Sequence, residues 1–131
     1  MIIIPTRSAK FLTSKLKTVN PIWSVFPDGE INTKLVLPKT DRVVVLHSGS
    51  PNPNEGLVEL EMILSILNQS SVKKIEVFFT YFPYAQVDSM AEAIIRKLVK
   101  YYKVSKIYAI DPHFSNKTWI NKYPIKIISA V

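Results

Sequence analysis

Cysteine is absent from the whole chain, which removes disulfides, thiolate zinc centres and cysteine nucleophiles and favours an intracellular setting. Glycine is nearly as scarce, with Gly29, Gly49 and Gly56 the full set. Three scattered glycines make neither a G-x-G-x-x-G run nor a Walker A loop, so dinucleotide and P-loop phosphate cradles are excluded. Arginine occurs only at Arg7, Arg42 and Arg96. No apolar run reaches the roughly 18 residues of a membrane span. The opening MIIIPT is cut by proline too early for a signal peptide, so neither span nor leader is expected and a cytoplasmic protein is.

What is present is a hydrophobic share of 47% and a charged share of 21% in 131 residues, the balance of a soluble globular chain. That length predicts one α/β domain over 1–131 with room for a real core. The net charge of +7 points to anionic partners. Fourteen of the seventeen basic residues are lysines spread along the chain, and arginine is the usual bidentate reader of phosphate and guanine, so a nucleic-acid module is disfavoured. Eight basic residues lie between Arg96 and Lys126 against one acid, Asp111. That excess suits nucleotides and sugar phosphates, or is simply a solvated lysine-rich surface.

Hydrophobic spacing predicts a short buried strand at Ile2 to Ile4, then a helix capped by Ser8 and running to about Lys17, with Phe11, Leu12 and Leu16 on one face. Ile22 to Phe26 and Ile31 to Leu37 read as a hairpin, and RVVVLH (Arg42 to His47) as a buried parallel strand. Asn54 is placed to cap a helix from Glu55 to about Gln69. Its apolar residues make two stripes, one through Leu57, Leu60, Ile63, Leu64 and Leu67 and one through Val58, Met62 and Ile66. A helix apolar on two sides is sandwiched in its own domain or half-covered by another subunit. Lys74 to Phe79, Lys106 to Ile110 and Ile125 to Ser129 complete the strands, with a helix from Met90 to Tyr102. The alternation is that of an α/β fold with a mainly parallel sheet flanked by helices, whose ligand edge lies at the carboxyl ends of the strands.

Three loops fall on that edge: the one from Ser48, Tyr81 to Asp88, and Asp111 to Phe114. His47 sits beside Ser48 and Ser50, but inside an apolar run it reads as a buried histidine rather than a base. A receiver-type phosphorylation domain would need an acid after the first strand, where the chain has Ile4-Pro5. In Asp111-Pro112-His113 a carboxylate and an imidazole two residues apart can share a cation or a phosphate-bound magnesium, or serve as a turn residue and a solvated one. Pro27-Asp28-Gly29 is a sufficient turn signal, yet a turn needs neither Phe26 before it nor Glu30 after it.

Phe26-Pro27-Asp28-Gly29-Glu30, the stretch SGSPNPNEGLVELEMILSI from Ser48, the stretch FTYFPYAQVD from Phe79, and Ile110-Asp111-Pro112-His113 together resemble the amino-terminal half of the ribose-phosphate diphosphokinase (phosphoribosyl pyrophosphate synthetase) family. The resemblance implies a phosphoribosyltransferase-like domain, ATP and Mg2+ as ligands, and assembly into homo-oligomers. It implies that Phe26 stacks on the adenine of a neighbouring subunit's ATP, that Asp28 and Glu30 accept hydrogen bonds from the base, that Gln86 and Asp88 lie on the nucleotide, and that His113, with Asp111, lies beside the metal and the phosphates.

The chain also departs from the family pattern. Gln86 stands where the family has an arginine, Ser89 leads straight into a helix where a mobile basic loop is expected, and no second half carries a site for ribose 5-phosphate. Two expectations follow. The chain is the ATP-side half of such an enzyme, inactive alone, or it is a non-catalytic relative serving as a nucleotide-binding, regulatory or assembly subunit.

Overall fold

The computed structural model describes residues 1–130. In chain order it contains β1 (Ile2–Pro5), a 3-10 helix (Arg7–Thr13), β2 (Ile22–Val25), β3 (Ile31–Lys34), β4 (Arg42–Ser48), α1 (Pro53–Asn68), β5 (Lys74–Tyr81), α2 (Asp88–Lys100), β6 (Val104–Ile110), a second 3-10 helix (Thr118–Lys122) and β7 (Ile125–Ile128). Five strands form one sheet in the order β1-β4-β5-β6-β7, with every neighbouring pair parallel. β2 and β3 pair separately as an antiparallel hairpin whose second strand lies against α1.

Side chains alternate across a strand, so each strand of the sheet offers two faces. Val43, Val45 and His47 of β4, Ile75, Val77 and Phe79 of β5, and Ile107 and Ala109 of β6 are all buried. They meet Leu60, Ile63, Leu64 and Leu67 of α1 and Ala91, Ile94, Ile95 and Leu98 of α2 in the core. Each such aliphatic side chain contributes about 1.5–3 kcal/mol by leaving water. The alternate residues Val44, Leu46, Phe78 and Tyr108 are half-buried and lie outside the core cluster. On that face Arg42 pairs with the buried Glu76, which also accepts a hydrogen bond from the Tyr108 hydroxyl at 3.1 Å. Burial pushes the Glu76 carboxyl up, but the guanidinium and the phenol outweigh it and hold it below the usual carboxylate range.

The mainly parallel α/β sheet matches the expectation from the sequence, and the sequence-based strand positions hold to within two residues except for β3, which ends at Lys34 rather than Leu37. The first helix does not match. Over Arg7–Thr13 the chain forms a 3-10 helix that buries Ala9 and Thr13 and leaves Phe11 73% and Leu12 45% exposed. The competing interactions are local: the Ser8 hydroxyl, expected to cap a helix, donates to Ser48 O at 2.6 Å, and the Thr13 hydroxyl closes back on Lys10 O at 2.6 Å. α1 begins at Pro53 rather than Glu55, because proline presets helical φ at the first turn; its N-cap is Asn52, whose side chain makes no capping bond. The 3-10 helix Thr118–Lys122 had no sequence-based expectation.

Among the described residues no helix is long and apolar enough to cross a membrane.

Candidate functional site

At the carboxyl edge the loops after β4 and β5 are locked together. Gly49 N donates to Tyr81 O at 2.7 Å, and a Cβ on Gly49 would lie 2.7 Å from Pro83 backbone atoms, so only glycine allows this approach. An aromatic series continues inward and sideways. Phe79 and Phe82 have ring centroids 4.6 Å apart, Phe82 and Phe114 4.9 Å, and Phe114 and Trp119 5.1 Å. These contacts tie the loop after β5 to the loop after β6 and to the second 3-10 helix. Tyr84 (φ 56°) and Asp111 (φ 39°), one in each of those loops, adopt left-handed backbone that non-glycine residues rarely take.

Between these two loops lies a cavity of about 360 Å3 lined by Ala85, Gln86, Asp88, His113, Phe114 and Lys117. Its volume is within the range of small-molecule clefts. Three of the residues singled out from sequence are therefore neighbours. The Gln86 side-chain nitrogen lies 3.4 Å from His113 Nε2. An amide nitrogen can only donate, so the contact needs the lone pair on Nε2 and the ring proton on Nδ1. Asp88 opens α2, where the helix dipole favours a carboxylate; its Oδ1 accepts from Trp119 Nε1 at 3.2 Å and its second oxygen has no partner among the described residues.

Asp111 is placed differently. Its Oδ2 accepts from Ala130 N at 3.0 Å, and it is not among the residues lining the cavity. The described residues contain no group of three or more histidine and carboxylate side chains able to enclose a metal. One free Asp88 oxygen beside an imidazole suits a magnesium ion that arrives on phosphate oxygens and keeps its waters, since Mg2+ is commonly held by one or two carboxylates plus substrate phosphates.

Phe26, Asp28 and Glu30 occupy the tip of the β2–β3 hairpin, outside that cavity. Phe26 O accepts from Gly29 N at 2.9 Å and Phe26 N donates to Glu30 O at 2.8 Å, with Gly29 at φ 93°, the arrangement of a three-residue hairpin loop. The Asp28 carboxylate accepts from Glu30 N at 3.0 Å, which lowers its pKa. The turn reading is thus satisfied, and the Phe26 ring remains 49% exposed beside it.

His47 is fully buried, as expected; its Nδ1 is 2.7 Å from the Thr6 hydroxyl while Nε2 has no partner. Burial pushes its pKa down to about 4. Sequence reasoning missed Lys117 and Trp119, which reach the site through a loop and a short helix that carry no periodic signal. The one available clue was the lysine excess after Arg96.

The fold and edge geometry define an α/β domain with a polar cavity at the carboxyl ends of a parallel sheet. The profile of the N-terminal domain of ribose phosphate pyrophosphokinase matches residues 9–109, and the chain belongs to that family. Similar proteins include a ribose-phosphate pyrophosphokinase of Mycoplasmopsis pulmonis, 27% identical over 128 residues, which make up 91% of this chain and 39% of that protein. Another is ribose-phosphate pyrophosphokinase 1 of Schizosaccharomyces pombe, 30% identical over 113 residues, or 80% of this chain and 28% of that protein. The crystal structure of phosphoribosylpyrophosphate synthetase from Mycobacterium smegmatis shares the fold, with a TM-score of 0.82 at 20% identity over 98% of this chain and 48% of that one. The chain thus spans less than half the length of each of these proteins.

Proposed function

We propose that this chain is the ATP-side half of a ribose-phosphate diphosphokinase, which moves the pyrophosphoryl group of ATP to ribose 5-phosphate, and that it acts only with a second domain carrying the sugar site. The observation that supports this most is the convergence of Gln86, Asp88 and His113 on one cavity at the strand ends of a domain in this family. In this reading the Gln86 amide and the His113 ring hold phosphate oxygens by hydrogen bonds. Asp88, steadied by Trp119, takes the waters or the coordination sphere of the Mg2+ that travels with the triphosphate. The metal supplies charge neutralisation on the phosphates; the chain supplies position, which is what phosphoryl-type transfers chiefly need.

Phe26, Asp28 and Glu30 serve the adenine in the same reading. They stand outside their own chain's cavity, and in this reading, as the family resemblance implies, they reach a nucleotide bound by a neighbouring copy and the chain works as a homo-oligomer. Half-exposed Val58 on α1 is part of the surface available for that assembly. The setting is the cytoplasm, and neither nucleic acid nor membrane is a partner. Residues 1–131 act as one α/β unit.

The test is reconstitution. The chain is mixed with the carboxyl-terminal half of a relative, and AMP is measured from Mg-ATP and ribose 5-phosphate. AMP that depends on both halves supports the reading, and none argues against it. A second reading is favoured by neutral Gln86 and Val87 and by the direct entry into α2 at Asp88. Here the chain is a non-catalytic nucleotide-binding or assembly subunit. It predicts Mg-ATP binding or co-assembly without AMP, since each missing charge–charge contact in a transition state commonly costs a factor of hundreds.

A further inference from the structure

The cavity between the loops after β5 and β6 has a single cationic lining residue, Lys117. Its ammonium makes no ion pair and no hydrogen bond with any other described side chain, whereas Arg7, Arg42 and Lys97 are each committed to a glutamate. Its backbone is held in place: Lys117 N donates to Phe114 O at 3.0 Å, and two residues on, Trp119 packs at a tilt against Phe114 and donates to Asp88. Lys117 is therefore an uncommitted, exposed cation, anchored through its backbone to Phe114, in the lining of a cavity whose other polar walls are neutral Gln86, His113 and the anionic Asp88.

We infer that Lys117 is the phosphate-contacting cation of this site, supplying from the loop after β6 the positive charge that Gln86 does not supply from the loop after β5. The ligand class is a nucleotide polyphosphate, so the inference rests on the ATP-side reading above. Electrostatics gives the reason. With Lys117 present the formal charges of the lining sum to zero, and this exposed lining residue offers a cation to an incoming polyphosphate. Without Lys117 the lining carries only the Asp88 charge, and a polyanion is repelled. A charge-assisted contact to phosphate oxygen is about twice as strong as a neutral one, and lysine meets phosphate as a point charge that tolerates varied approach.

The experiment is calorimetric titration of the full 131-residue chain with Mg-ATP at low ionic strength, for the wild type, Lys117→Met, Lys117→Arg and the double variant Lys117→Met with Gln86→Arg. Thermal unfolding of each variant is recorded alongside. The expected result is a dissociation constant raised about tenfold or more by Lys117→Met, held within about threefold by Lys117→Arg, and largely recovered by the double variant, which places a cation on the opposite wall. Unfolding midpoints stay together, because Lys117 is exposed. Equal affinity of wild type and Lys117→Met overturns the assignment of Lys117 while leaving the ATP-side reading intact. Absence of any Mg-ATP binding by the wild type overturns both.

Discussion

The Arg7 guanidinium lies 3.3 Å from the centroid of the Trp23 ring, so the residue that follows β1 by two positions grips the hairpin directly. The same guanidinium pairs with Glu55, and Arg7 N donates to the buried Glu59 Oε2 at 2.8 Å, both on α1. Arg7 thus ties the hairpin to α1.

Replacing Arg7 by alanine removes the cation–π contact and leaves the Glu59 carboxyl, which burial already pushes up, without its guanidinium. The arginine is itself 42% exposed, and solvent screening limits the loss to about 1–2 kcal/mol. Urea unfolding measures the loss, and amide exchange in β2 and β3 is expected to speed up more than in β5. Unchanged exchange in the hairpin would show that Arg7 does not position it.

His47 makes stability depend on pH. Its folded pKa is about 4 against an ordinary 6.5, so between those values the unfolded chain binds the proton that the folded chain refuses. Stability from this group is fully present above pH 6.5 and declines as pH falls toward 4, by roughly 3 kcal/mol across the window. His47→Gln is expected to be less stable at pH 7.5 and to show a shallower decline to pH 5 in urea midpoints. An equal slope in the variant would assign the decline to other groups.

Gly49→Ala forces a Cβ into Pro83, where the contacted atoms include backbone and cannot swing aside. Overpacking of this kind costs about 1–3 kcal/mol. The thermal midpoint should drop. Gly29→Ala meets no atom within 4 Å but strains a φ of 93°. It should also destabilise, by about 1 kcal/mol, without disturbing the loops at the strand ends. Equal resonance shifts around Pro83 in the two variants would contradict this division.

Trp119→Phe preserves an aromatic ring against Phe114 but deletes the N–H that holds Asp88. A net hydrogen bond of about 1 kcal/mol corresponds to a few-fold change in a dissociation constant. Mg-ATP affinity is expected to weaken about two- to fivefold with little change in the unfolding midpoint. An unchanged affinity would mean that the orientation of Asp88 is immaterial to binding.

The strands and the two long helices were legible because their signals are periodic. RVVVLH is continuous apolar sequence as a central parallel strand requires, and Leu60, Ile63, Leu64 and Leu67 share one helical face. His113 was picked out by its place after a buried strand beside Asp111, Gln86 and Asp88 by resemblance, and strand–helix alternation placed their loops on one edge. The segment after β1 was misread because Phe11, Leu12 and Leu16 are spaced as a helix face, while Ser8 spends its hydroxyl on β4. Lys117 and Trp119 were invisible because their positions depend on how Phe114 packs across two loops, a contact between residues distant in sequence.

The most direct measurement is a crystal structure of the chain soaked with a magnesium complex of a non-hydrolysable ATP analogue. The predicted density has the phosphates between Gln86, His113 and Lys117, and the purine against Phe26 of an adjacent copy within reach of Asp28 and Glu30. Purine or phosphate density elsewhere, or none at saturating concentration with those side chains facing solvent, would contradict the nucleotide assignment.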